Sequence, residues 1–309
     1  MTIPGRGASR TRPLRLSRAR LQKVYLFFFR PLGEKDKRAP EPNTRPGCQE
    51  NDSVKNIDVY PLPELAPDLP FRGASVAIDA LRATTTITTA LAAGAVAVRP
   101  FESIEEAVVA KKAFLAKDPK NENLAILGGE RHGVPIDGFD FGNSPEDYSP
   151  ENVAGKTIFF TTTNGTKAIL SCRGVVLLAS YLNAQAVVER LLRDDFDRIS
   201  IVCAGTLGQY TEEDLLLAGL LTDRLTLRNA DFRLNVQAEV VREQWRERRS
   251  TSLVELLKES RGGLNLAKVK LTKDIYDAAK LDSLDVVPEF RIGVVKLDSA
   301  FQTKTKQTK

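Results

Sequence analysis

The sequence predicts an α/β fold in which a mixed or mainly parallel sheet is covered by helices. Two observations predict it. Short apolar runs alternate with helical patterns along most of the chain. Several of those runs are continuously apolar, as strands covered on both faces must be. A third observation concerns function: polar, hydroxyl-rich segments follow several strand ends, where open α/β sheets collect ligands.

Taken in order, residues 1–53 are rich in Arg, Pro and polar residues, with too little apolar surface to offset ordering entropy. They are expected to be a disordered basic extension. The sequence becomes protein-like at Val54-Lys55-Asn56-Ile57, and Met1 is the one methionine. A valine start at Val54 is therefore an alternative, with 1–53 a start-site artefact. Strands are expected at 57–60, 75–79, 95–100, 124–127, 157–162, 175–179, 199–204 and 286–290. Helices are expected at 85–93, 104–116, 166–172, 184–193, 212–225, 236–248, 253–259 and 273–280. A catalytic domain would span 54–298, followed by a disordered tail at 299–309. Strand, Thr triplet, helix, Gly and strand occur twice, around Thr84-Thr85-Thr86 and Thr161-Thr162-Thr163. That echo raises a two-part internal repeat.

The formal charge of +5 over 309 residues is uneven. Residues 1–50 hold twelve Lys/Arg against four acids, leaving 33 basic residues facing 36 acidic ones. The body is mildly acidic, which argues against a nucleic-acid groove across it. Cys48, Cys172 and Cys203 show no CxxC spacing, and with one His the usual zinc ligand set is missing. No run of about 18 apolar residues suggests a membrane span. The apolar stretch 24–29 is too short for a signal-peptide core. A cytoplasmic protein is expected.

Four segments carry candidate chemistry. In the first, Asp79 ends a strand as a candidate metal ligand and Arg82 is placed to pair with a phosphate or sulfonate oxygen. Thr84 and Thr85 either cap the helix or donate to an anion. Five threonines in 84–89 suggest a purpose beyond capping, because β-branched residues are indifferent helix formers. In the second, Gly128-Gly129-Glu130-Arg131-His132-Gly133 and the following Gly142-Asn143-Ser144-Pro145, Glu130 is a second ligand or a base. Arg131 is an anion clamp there, with Asn143 and Ser144 as substrate contacts. The third, Thr161-Thr162-Thr163-Asn164-Gly165-Thr166, lets backbone approach phosphate through Thr163, Asn164, Gly165 and Thr166. It lacks the full Walker pattern. The fourth joins Cys203, Gly205 and Thr206, as substrate contacts, to Glu212-Glu213-Asp214, with Asp214 the preferred third metal ligand. Acids in a first helical turn are also ordinary dipole partners.

In order, VAIDALRATTT, GGERHGVPIDGFDFGNSP, TTTNGTKA, CAGTLG with EEDLLLAG, and SRGGLNLA with DVVPEF resemble the 2-phosphosulfolactate phosphatase family. The resemblance covers roughly residues 57–295. It implies Mg²⁺-dependent hydrolysis of 2-phospho-3-sulfolactate to sulfolactate and inorganic phosphate, a step toward coenzyme M, on an α/β fold unlike those of common phosphatases. A related 2-phospho-acid is an alternative substrate. The extension before Val54 and the charged segment 237–250 depart from the family pattern.

Rival phosphatase chemistries fit poorly. Asp79 is followed two positions later by Leu81 rather than a second Asp. Gln209 stands six positions after Cys203 where a cysteine phosphatase needs Arg. His132 lacks the second histidine that a histidine phosphatase requires. A metal-activated water remains, with Asp79, Glu130 or Asp214 holding Mg²⁺ and one acid serving as base. The partner expected is a small phosphorylated acid, and a homodimer is one expected assembly. The competing reading is a non-catalytic binding protein for a phosphorylated or sulfonated acid. A third reading gives nucleic-acid binding to the tail.

Overall fold

The computed structural model describes residues 55–67, 73–117 and 123–297. The expected basic extension, the expected C-terminal tail and Cys48 lie outside the described residues. Eleven strands and ten α-helices occur among those described. In chain order they are β1 (Asn56–Tyr60), β2 (Ala74–Ile78), α1 (Ala83–Ala92), β3 (Ala97–Phe101), α2 (Ile104–Lys117), β4 (Ala125–Arg131) and β5 (Val134–Pro135). Next come α3 (Pro150–Val153), β6 (Thr157–Thr161), α4 (Gly165–Ser171), β7 (Val175–Ala179), α5 (Ala184–Arg193), β8 (Arg198–Cys203) and α6 (Glu212–Arg228). The chain continues with β9 (Arg233–Leu234), α7 (Val236–Arg248), α8 (Leu253–Glu259), α9 (Arg261–Lys268), α10 (Lys273–Ala278), β10 (Pro288–Arg291) and β11 (Val294–Leu297).

The strands form one sheet in the order β5-β4-β6-β3-β11-β10-β7-β2-β8-β1-β9. Two parallel blocks make up most of it, β4-β6-β3 and β7-β2-β8-β1-β9. The antiparallel hairpin β10–β11 joins them, pairing with β7 on one side and β3 on the other. This mixed sheet covered by helices matches the predicted class. The two Thr triplets both follow a strand of one block and lead through a helix to a strand of the other. That order does not by itself show a duplicated unit.

Continuous apolarity in the strands has a direct cause. On β2, Ala74, Val76 and Ile78 join a core with α5, α6, α7, α8, α9 and α10, whereas Ala77 faces a second core with α1 and Tyr148. Successive side chains point to opposite faces, and both faces are covered. Each fully buried Val, Leu or Ile contributes about 1.5–3 kcal/mol relative to exposure.

The alternating pairings make the two blocks run in opposite senses. Even so, Asp79 after β2 packs against Gly165 after β6. The carboxyl ends of both blocks therefore face one another, and the cleft opens between them.

Five elements were not foreseen. β5 and β9 are two residues long, too short for a periodic signal, and α3 is one turn. β11 is the second arm of the joining hairpin. α9 reads as a loop because it contains Gly262 and Gly263, yet Gly262 lies directly against the Glu213 carboxylate and Leu81, where a Cβ has no room.

Candidate active site

A cleft of about 310 Å³ lies at the facing strand ends. Asp79, Arg82, Glu130, Asn143, Thr163, Asn164 and Thr206, all expected at the site, line it. Four sequence-distant segments thus meet in one place.

The turn after β2 is built by its own threonines. Thr84 Oγ1 donates to the Asp79 carbonyl at 2.8 Å and accepts from the Asp79 amide at 3.1 Å. Thr85 donates to the Ala80 carbonyl at 2.8 Å. Thr86 reaches the Asn143 carbonyl at 2.9 Å, and Thr88 and Thr89 bond back to the Thr84 and Thr85 carbonyls. This corrects the expectation that Thr84 and Thr85 donate to the anion: their hydroxyls are buried and satisfy turn carbonyls. Thr166 repeats the arrangement after β6, exchanging hydrogen bonds with Thr162. It supports the turn and does not line the cleft.

Asp79 is buried and accepts from the Ala83 amide at 3.2 Å. Burial, and next the charge of Glu130, push its carboxyl up from 3.8 to about 7. Glu130 accepts from the Gly133 amide at 2.6 Å, the Thr163 amide at 2.8 Å and the Thr163 hydroxyl at 3.1 Å. It thereby ties the strand β4 loop to the turn after β6. Asn164 stands at the N-cap position of α4 without a side-chain capping bond, and its Oδ1 instead accepts from the Leu207 amide at 3.1 Å, bridging to the loop after β8.

Arg82 follows a cis Leu81–Arg82 peptide. Its buried guanidinium donates to Asp274 at 2.6 Å and to the Gly133 carbonyl at 3.1 Å. Asp274 also accepts from the Ser144 hydroxyl at 2.5 Å. Ser144 therefore steadies the partner of Arg82 and does not line the cleft. Sequence reasoning missed Asp274 because an acid at the start of a helix reads as a dipole partner.

Three further expectations are corrected. Arg131 faces away from the cleft and donates to the Glu130 and Glu102 carbonyls and to Thr161 Oγ1. His132, with φ of 54°, lines the cleft in its place. Asp214 accepts from the amides of Ala80 at 2.9 Å and Gly205 at 3.0 Å, so it staples the β2 turn to the β8 loop. Burial, then the charges of Asp79 and Glu213, hold its carboxyl well above the ordinary range. Among the described residues no group of three His, Cys, Asp or Glu side chains is placed to hold a metal. The three-acid ligand set is thus not assembled. Cys203, expected as a substrate contact, is fully buried in the core and does not line the cleft, and burial pushes its thiol well up, the opposite of an activated nucleophile.

Glu130, with Asp79 beside it, does fit a smaller metal site. They line one cleft, and the charge of Glu130 acts on Asp79 while Arg82 is paired with Asp274. Magnesium is commonly held by one or two carboxylates together with substrate phosphate. Gly165 and Gly205, expected as substrate contacts, do not line the cleft: Gly165 leaves room for the Asp79 carboxyl, and Gly205 adopts φ of 61° against Leu62 and Gln209.

The model of the 2-phosphosulpholactate phosphatase family matches residues 60–293. A probable 2-phosphosulfolactate phosphatase of Symbiobacterium thermophilum is 40% identical over 243 residues, which is 78% of this chain and 99% of that protein. Another, of Synechocystis, is 35% identical over 239 residues, 75% of this chain and 95% of that protein. The family match spans every segment that lines the cleft, and the chain belongs to the 2-phosphosulfolactate phosphatase family.

Proposed function

We propose that this chain is a phosphoric monoester hydrolase that splits 2-phospho-3-sulfolactate, or a close 2-phospho-acid, into the 2-hydroxy acid and inorganic phosphate. The observation that carries the proposal is the meeting of Asp79, Glu130 and Arg82 with Thr163 and Asn164 in one cleft of a family member. Hydrolysis needs stabilisation of charge on the phosphoryl oxygens and a group to move a proton from the attacking water.

Arg82 suits the first task. Asp274 and the Gly133 carbonyl occupy two of its N–H groups and fix the guanidinium plane, so its other donors are preset for an anion. Thr163 and Asn164 present small polar groups on the facing wall. Asp79 suits the second task, since a carboxyl near 7 exchanges a proton at neutral pH. Glu130 would hold Mg²⁺ together with the substrate phosphate, supplying Lewis acidity toward the phosphoryl oxygens and leaving Asp79 free as the base.

The test is phosphate release from 2-phosphosulfolactate, 2-phospholactate and phosphoglycerate, with and without Mg²⁺. Release from none of them would refute hydrolysis. Release unaffected by chelation would refute the metal. The same proposal extends to supply of sulfolactate toward coenzyme M, in the cytoplasm, by a homodimer. Among the described residues no helix is long and apolar enough to cross a membrane.

A further inference from the structure

The charges that line the cleft are not balanced evenly along it. Asp79 and Glu130 lie at the strand ends, and Arg82 is neutralised by its buried pair with Asp274. The opposite wall is α9, which contributes Gly262, Asn265, Leu266 and Lys268. Gly262 packs against Glu213 and Leu81, so this helix is seated directly on the turn that carries Arg82. Asn265 and Lys268 are three positions apart and so share a face of α9, and both are exposed into the cleft. Among the described residues Lys268 is a cleft-lining cation with no hydrogen bond or ion pair to a protein acid.

We propose that Lys268, with the Asn265 amide beside it, forms a second anion subsite that takes the C3 sulfonate and sets specificity for a sulfonated over an unsulfonated 2-phospho-acid. The inference rests on the hydrolase reading above. A phosphorylated sulfolactate carries three acidic groups, more negative charge than Arg82 alone can meet. The phosphoryl group belongs at the strand ends, with Arg82 and the Asp79–Glu130 pair. The carboxylate and the sulfonate remain, and Lys268 is the cleft-lining lysine without a protein acid beside it; comparison of 2-phosphosulfolactate with 2-phospholactate, which keeps the carboxylate, separates the two. Leu266 and Val269 line the cleft next to that position. Asn265 adds an uncharged donor of the kind a three-oxygen sulfonate accepts.

The experiment compares wild type, Lys268→Met and Lys268→Arg. Met keeps the aliphatic stem and removes the charge, and the position is exposed, so folding is retained. Two measurements are made: kcat/KM for 2-phosphosulfolactate and for 2-phospholactate, and calorimetric binding of 3-sulfolactate and lactate. Lys268→Met should lower the preference for the sulfonated substrate about tenfold or more, mainly through KM, with a matching loss in 3-sulfolactate binding. Lys268→Arg should restore part of it. Equal losses on both substrates and both ligands, or no loss, would overturn the subsite while turnover in wild type keeps the hydrolase reading. Absent turnover in wild type, with 3-sulfolactate binding still weakened by Lys268→Met, would reject the hydrolase reading and retain the subsite.

Discussion

Gly165, the first residue of α4, lies so close to the Asp79 carboxyl that a Cβ there would overlap it, with Ala83 crowding the other side. The turns after β2 and β6, one from each parallel block, interlock at this point. Gly165→Ala should cost about 1–3 kcal/mol of stability by overpacking. Displacing Asp79 should lower turnover by roughly a hundredfold. Urea unfolding together with phosphate release checks both, and near-normal turnover would show that Asp79 is not needed where it stands.

Asp79 ties function to instability. Its carboxyl lies near 7 in the fold against 3.8 ordinarily, so folding favours the protonated form. That contribution to stability is complete below pH 3.8 and is lost as pH rises through about 7. In metal-free buffer Asp79→Asn should change stability little near pH 4. Near pH 8 it should raise stability by up to roughly 4 kcal/mol. The same variant should lose phosphate release. Unfolding midpoints that show no such pH divergence would contradict the assignment.

Asp274 pairs with Arg82 and does not itself line the cleft. Asp274→Asn removes the charge that orients the guanidinium, and KM should rise about tenfold with a smaller change in kcat. Ser144→Ala, which frees one oxygen of Asp274, should move KM in the same direction by less. A fall in kcat alone would place Asp274 outside this chain of contacts.

Cys203 should be dispensable. Cys203→Ala is expected to keep turnover, and the native thiol should resist alkylation at pH 8, because burial holds it protonated. Rapid inactivation by a thiol reagent accompanied by labelling of Cys203 would reopen covalent catalysis.

The fold was legible where periodicity was strong. The strand at 175–179 and the helices at 184–193, 236–248 and 253–259 coincide with β7, α5, α7 and α8, because their apolar patterns are set by the layers they pack against. The joining hairpin was half seen: the apolar Val286-Val287 pair leads into β10, but the pairing of β10 with strands far away in sequence leaves no local trace. At the site, Asp79, Arg82, Glu130, Asn143, Thr163, Asn164 and Thr206 were readable because strand ends gather ligands. The direction of Arg131 and the role of Asp214 were not readable. Both depend on which backbone groups need partners, and those partners are 9 to 134 residues away for Asp214. The Thr84–Thr89 run was rightly singled out for the wrong chemistry, since its hydroxyls serve carbonyls of a buried turn.

The hairpin at Pro288–Leu297 has a consequence for synthesis. A ribosome delivers all the cleft-lining residues, up to Val269, before it delivers the two strands that seam the blocks together. Until then β7 and β3 present bare edges to solvent and to each other's copies on neighbouring nascent chains. The active cleft is therefore finished by a late seam, and any message that terminates between α10 and Pro288 yields two sticky half-sheets in place of a weakened enzyme.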